Sequence, residues 1–175
     1  MVFLNHVADI DIAVSIVTIS TSKWQKYGNI GIDELKKTDD ESGKILVEML
    51  GEKFLISKYR LVPDDMEAIR KAVLECLEVS DAVITTGGTG ITPKDVTIEA
   101  VDPLIKKKLD GFGEIFRMLS YQQVRSAAIL SRAMAGVRDG KAIFCLPGSP
   151  KAVKLGAELI LDSLKHVISH ARGLK

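Results

Sequence analysis

The chain has 175 residues, 46% hydrophobic and 27% charged, and its 24 Lys and Arg against 23 Asp and Glu leave a formal charge of +1. That size and balance supply a continuous core and exclude disorder as the main state, while near-neutrality removes any global field for nucleic acid or an anionic membrane. The longest run free of Asp, Glu, Lys and Arg, Ala82–Pro93, is 12 residues and is broken by Gly and Thr, against the roughly 20 apolar residues a spanning helix needs.

The first apolar region contains Asp9 and Asp11 and lacks a basic n-region, so it does not read as a signal peptide and the expected location is cytoplasmic. Ile12–Ile19 is β-branched on both alternating sets of positions, the pattern of a strand buried on both faces, and it ends in Ser20-Thr21-Ser22. The passage onward to Thr38, with Tyr27, Gly28, Asn29 and Gly31, reads as a long loop. Ile45, Leu46, Met49 and Leu50 form a helical stripe entered from Asp40-Glu41-Ser42-Gly43 and closed at Gly51. Phe54–Val62 supplies the next strand, and Met66, Ile69, Val73, Cys76 and Leu77 the next helix, with Asp64 and Glu67 spaced as a capping box.

Ala82–Thr86 is a short buried strand that runs into Gly87-Gly88-Thr89-Gly90. After it, Thr92, Pro93 and Asp95 are spaced as N-cap, N1 and N3 of a helix carrying Val96 and Val101, ended or bent at Pro103. Gly111-Phe112-Gly113-Glu114 precedes a helix with Ile115, Phe116, Leu119 and Val124. Asp139-Gly140, between Arg132–Val137 and Lys141–Leu146, is a short-hairpin signal. The last helix, from Ser149 or Pro150, carries Val153, Ala157, Ile160, Leu164 and Val167 on one face, and Leu155, Leu159 and Leu161 on its other side point to a second contact surface. The alternation of strands and helices predicts one α/β domain over 1–175: a three-layer sandwich whose mostly parallel central sheet has helices on both faces and a late antiparallel hairpin.

In open α/β sheets ligands bind beyond the carboxyl ends of the strands. There, Thr86-Gly87-Gly88-Thr89-Gly90 reads either as an anion cradle with close backbone approach or as a tight strand-to-helix connection, and it matches neither GxGxxG nor GxxxxGK[ST]. Asp64 and Asp95 read either as helix-capping acids or as hard oxygen ligands for Mg²⁺ bridging phosphate. Pro147-Gly148-Ser149 is a second turn that caps a helix or meets an acidic ligand with Ser149 and Lys151. Glu114 reads as a helix-start acid on the surface, Lys106-Lys107-Lys108 as a solvated face rather than a nucleic-acid patch, and His166 with His170 as a terminal surface pair without a third metal ligand. Cys76 and Cys145 lie in apolar patterns without metal or disulfide spacing and read as buried structural thiols.

Six segments together, Asp40-Glu41-Ser42-Gly43, Leu61-Val62-Pro63-Asp64, Thr86-Gly87-Gly88-Thr89-Gly90 with Asp95, Gly111–Ser120, Leu130-Ser131-Arg132-Ala133 and Leu146–Val153, resemble the MoaB/MogA family of molybdenum cofactor biosynthesis proteins, most closely its B-type branch. The resemblance implies a domain that binds molybdopterin and, with Mg²⁺, transfers the adenylyl group of ATP to its terminal phosphate, releasing pyrophosphate. Carried over position by position, it implies Asp64 and Asp95 as catalytic and metal-holding acids. It likewise implies Ser42, Gly43, Thr86, Gly87, Gly88, Thr89, Gly90, Glu114, Pro147, Gly148 and Ser149 around the ligand, with Ser42 and Ser149 as hydrogen-bond donors and no covalent nucleophile. A homo-oligomer, trimer or hexamer, and a downstream MoeA-type metal-insertion protein follow from the same likeness. The alternative is a pterin-binding scaffold without turnover. One departure stands out: the family's Ser-Asp-Arg-like or Ser-Asn-Arg-like segment after the first strand is here Ser20-Thr21-Ser22-Lys23-Trp24.

Overall fold

The structure, a computed structural model, describes residues 9–174, so the N-terminal reading falls partly on residues 1–8, outside that range. Six strands, β1 (Ala13–Ile19), β2 (Leu55–Val62), β3 (Ala82–Thr86), β4 (Lys107–Lys108), β5 (Met134–Arg138) and β6 (Lys141–Leu146), form one sheet in the order β2-β1-β3-β6-β5-β4. The first four in that order are mutually parallel, and β5 is antiparallel to both neighbours. The helices are α1 (Thr21–Tyr27), α2 (Ile32–Leu35), α3 (Glu41–Gly51), α4 (Met66–Val79), α5 (Thr97–Val101), α6 (Asp110–Val124) and α7 (Pro150–Ala171).

Strand alternation divides the core in two. Val14, Ile16, Ile84, Phe144 and Leu146 pack with Leu46 and Leu50 of α3, Phe116 of α6 and Ile160 and Leu164 of α7. Val17, Ile19, Val83, Ile143 and Cys145 face the opposite side, against Ile69, Val73 and Cys76 of α4 and Ala100 and Val101 of α5. This is the expected three-layer architecture. The hairpin turns at Asp139 (φ 48°) and Gly140 (φ 75°), both left-handed as a tight two-residue connection requires.

Five local expectations are corrected. The stretch after Ser20 is two short helices rather than a loop: Ser20 caps α1 by accepting the Lys23 amide, and the Glu34 carboxylate accepts the Gly31 amide at the start of α2. Because α1 has no buried residue, it leaves no apolar stripe in the sequence. The cap of α4 is Asp65, whose Oδ1 accepts the Ala68 amide at 2.8 Å, which releases Asp64 from that task. Thr92–Asp95 is a turn and α5 starts only at Thr97, because the Asp95 carboxylate folds back onto Thr92. Gly111–Glu114 lies inside α6, and the second apolar side of α7 packs within the chain, with Leu159 and Leu161 half-buried against the first core. Among the described residues, no helix is long and apolar enough to cross a membrane.

Candidate active site

The chain leaves β1 toward β2 and leaves β3 toward the opposite edge, so a crevice opens at the carboxyl ends of these two neighbours. The Gly-rich turn after β3 lies against the turn after β1. Gly87 has φ +104°, and a Cβ there would stand 2.3 Å from the Ile19 carbonyl oxygen; Gly88 has φ +68°, and a Cβ there would stand 2.3 Å from Thr97 Oγ1. Only glycine fits either place.

Side chains lock this turn from several directions. Thr97 Oγ1 donates to the Gly87 carbonyl at 2.8 Å and the Thr97 amide to the Gly88 carbonyl at 3.1 Å. Thr86 Oγ1 donates to the Pro147 carbonyl at 3.0 Å and the Gly87 amide to the Leu146 carbonyl at 3.0 Å, which joins the first turn to the one after β6. Ser42 Oγ donates to the Gly148 carbonyl at 2.7 Å. The Thr86 hydroxyl is thus committed to joining the two turns, and the Ser42 hydroxyl to anchoring the second of them to α3. No acceptor among the described residues engages the amides of Gly88 or Thr89, and unpaired successive amides of this kind favour an anion.

The two candidate acids border this same turn. Asp64 Oδ2 accepts from the Thr21 amide at 2.9 Å and from Thr21 Oγ1 at 2.8 Å, while among the described residues no donor reaches Oδ1. That free oxygen stands 3.5 Å from the position of a Gly88 Cβ. Asp95 Oδ2 accepts from the Thr92 amide at 2.9 Å and from Thr92 Oγ1 at 2.7 Å, and it stands 2.8 Å from the position of a Gly90 Cβ. The glycines concerned are two residues apart, a span of at most about 7 Å. Burial pulls the Asp95 carboxyl up, but the Thr92 hydroxyl and amide, the Gly90 amide and the Arg132 charge outweigh it and hold the group below its usual range.

The residues fit a magnesium ion. Oδ1 of Asp64 is a free, hard oxygen, and Asp95 is held in its ionised form. Such an ion would take one or two carboxylates and complete its shell with phosphate and water.

Behind the crevice, Asp40 is fully buried: its Oδ2 accepts from Thr18 Oγ1 at 2.7 Å and Tyr59 Oη at 2.6 Å, and its Oδ1 from the Gly43 amide at 3.2 Å. A Cβ on Gly43 would strike this carboxylate at 2.1 Å, so Gly43 is required by the network. Glu114 stands apart, exposed on α6, and lines a cavity of about 240 Å³ with Lys108, Asp110 and Arg117, shared with none of the Gly-rich turn. Pro147 and Ser149 line a separate cavity of about 160 Å³ with Phe116, Ser131 and Lys151, and Ser149 caps α7 through the Ala152 amide.

Thr21, Thr97 and Arg132 are site residues without an assigned role in the sequence reading. Thr21 had one usable signal, its place just past a strand, and Arg132 another, its place in Leu-Ser-Arg-Ala. Cys76 and Cys145 are buried, which pushes their thiols up to about 11 and about 12, as for inert structural cysteines.

Comparison with known proteins identifies the family and the fold. Residues 15–166 match a family described as "Probable molybdopterin binding domain". Molybdenum cofactor biosynthesis protein B of Bacillus subtilis is 50% identical over 138 residues, covering 76% of this chain and 81% of that one. A molybdopterin adenylyltransferase of Pyrococcus furiosus is 43% identical over 158 residues, covering 86% and 93% of the two chains. The crystal structure of the tungsten cofactor synthesizing protein MoaB from the same organism superposes with a TM-score of 0.84 at 36% identity, covering 94% of this chain and 99% of that one.

Proposed function

The chain belongs to the MoaB/MogA family of molybdenum cofactor biosynthesis proteins, in the B-type branch, and from that premise we propose that it is a molybdopterin adenylyltransferase working in the cytoplasm. An oxygen of the pterin's terminal phosphate attacks the α-phosphorus of ATP. The bond from that phosphorus to the α,β-bridging oxygen breaks, and pyrophosphate leaves with the electron pair. The observation that carries this reading is the pair of Thr-steered carboxylates, Asp64 at Gly88 and Asp95 at Gly90, on one glycine turn with unpaired amides.

Chemistry of this kind asks the protein for alignment and charge neutralisation rather than a nucleophile. The Gly88 and Thr89 amides bind phosphate oxygens, and Thr21 and Thr92 aim the acids. Thr86 ties the second turn, Pro147-Gly148-Ser149, to the first, and Ser42 anchors it to α3, so that two phosphate-bearing substrates meet in one orientation. Magnesium, when bound, is held by Asp64 and Asp95 and offsets the negative charge that gathers in the displacement. The closed thiols and the absence of a catalytic histidine beside Ser42 or Ser149 among their hydrogen-bond partners favour direct transfer without a covalent intermediate.

Assembly is part of the same reading. On α6, Ile115, Met118, Tyr121 and Val124 are exposed at three-residue intervals, and Ile129 and Leu130 continue the patch. Such a stripe supports a homo-oligomer, trimer or hexamer, and Met118→Glu is expected to shift light-scattering mass toward the monomer. The adenylylated pterin would pass to a MoeA-type metal-insertion protein.

Purified protein with molybdopterin, ATP and Mg²⁺ tests the reaction. Adenylylated pterin and pyrophosphate should appear in equal amounts and be lost in the Asp64→Asn, Asp95→Asn double variant. Tight pterin binding without conversion would identify a scaffold instead.

A further inference from the structure

Arg132 enters β5 from its N-terminal side, yet its side chain turns away from the sheet and makes four hydrogen bonds toward the Gly-rich turn and α5. Nε donates to the Gly90 carbonyl at 2.8 Å, Nη2 to the Asp95 carbonyl at 3.1 Å and to Glu99 Oε2 at 3.2 Å, and Nη1 to Glu99 Oε1. The Arg132 amide adds a bond to the Thr89 carbonyl at 3.0 Å. We infer that Arg132, held by Glu99, is a brace that sets the turn from Thr89 to Asp95 and thereby aims the Asp95 carboxylate; its role in the reaction rests on the reading proposed above.

Gly90 and Asp95 are the two ends of an exposed turn, Ile91-Thr92-Pro93-Lys94. One rigid guanidinium holds the carbonyls at both ends and so determines their separation. The Asp95 carboxylate is tied to Thr92 and to the Gly90 amide, all within the same turn, so its direction follows wherever the turn is held. Glu99 takes the other edge of the guanidinium and fixes its plane. The task uses four of the five N–H donors that arginine carries in a flat fork, a pattern no lysine reproduces from a single ammonium. The side chains of Arg132 and Glu99 are 34% and 46% exposed, and ion pairs so open to water contribute little to global stability. What the pair supplies is geometry, which makes Arg132 a positioning residue.

The test uses the full chain with Arg132→Ala, Arg132→Lys and Glu99→Gln. The brace predicts that hydrogen exchange of the hydrogen-bonded Thr92 and Asp95 amides accelerates at least about tenfold in Arg132→Ala while peptides of β1, β3 and β6 exchange as in the parent; unchanged exchange in the turn overturns it. In the transfer assay, half-saturating Mg²⁺ should rise and kcat fall, each by about 10–100-fold, with KM for the pterin unmoved. Arg132→Lys should keep the parent melting temperature without restoring the Mg²⁺ requirement, and Glu99→Gln should give a smaller effect of the same kind. A lowered melting temperature with an unmoved Mg²⁺ requirement overturns the brace in favour of a merely structural arginine. If Arg132→Ala does not fold, the other two variants carry the same measurements. If the parent makes no adenylylated product, the reaction fails and the exchange rates alone decide the brace, acceleration supporting it and parent-like rates overturning it.

Discussion

Thr21 and Asp64 hold each other through three hydrogen bonds: Asp64 Oδ2 accepts from the Thr21 amide at 2.9 Å and from its hydroxyl at 2.8 Å, and the Asp64 amide donates to that hydroxyl at 2.9 Å. The first turn of α1 therefore occupies one carboxylate oxygen of Asp64 and leaves the other beside Gly88 at the crevice. Thr21→Val removes two of these bonds and should cost about 1 kcal/mol of stability in denaturant melts. Transfer should slow by about 10–100-fold. Parent-like rates would show that Asp64 needs no steering.

Asp95 should titrate below 3.8, because burial, which raises it, is outweighed by Thr92, the Gly90 amide and Arg132. A folded-state value below the unfolded one gives stability that is present above pH of about 3.8 and is lost as pH falls through the folded value. Thr92→Val removes the hydroxyl donor and should move the Asp95 midpoint upward in a carboxyl ¹³C NMR titration. A midpoint that stays in place would refute the assignment of its cause.

Tyr59 lies at the other extreme: burial, the Asp40 charge and the hydrogen bond to Asp40 push its phenol well above the usual 10.0. Here the sign is reversed, since stability is complete below pH of about 10 and is lost as pH rises toward the folded value. Tyr59→Phe should abolish that alkaline loss. It should also cost about 1–3 kcal/mol near neutrality by leaving a buried carboxylate one donor short, read as a drop of several degrees in Tm.

Two glycine substitutions should act in opposite directions. Gly87→Ala combines φ +104° with a clash against the Ile19 carbonyl and should destabilise at the upper end of about 1–3 kcal/mol. Gly111→Ala lies in the first turn of α6 with no atom within 4 Å of the added Cβ and should stabilise by up to about 1 kcal/mol. Equal melting temperatures for the two variants would contradict the description of the Gly-rich turn.

The strands other than the two-residue β4, the larger helices, the Asp139-Gly140 hairpin and the Gly-rich turn could be read from the sequence, because alternation, helical spacing and turn chemistry act within about ten residues, whereas Lys107–Lys108 becomes a strand only by pairing with β5. The residue types of Asp64 and Asp95 were equally plain. Their surroundings were not. Helix α1 has no fully buried residue and sets only half-buried Trp24 and Tyr27 against the core, so it carries no periodic stripe, and the adjacent pair Asp64-Asp65 gives two equivalent starts for α4, between which packing chooses. The contacts that make a site, Ser42 to Gly148 across 106 residues, Thr21 to Asp64 across 43 and Arg132 to Glu99 across 33, exist only after the sheet order has brought separate turns to one edge. Local chemistry names the acids, but a hydrogen bond needs its partner within about 3 Å, and that distance is a property of the packed sheet.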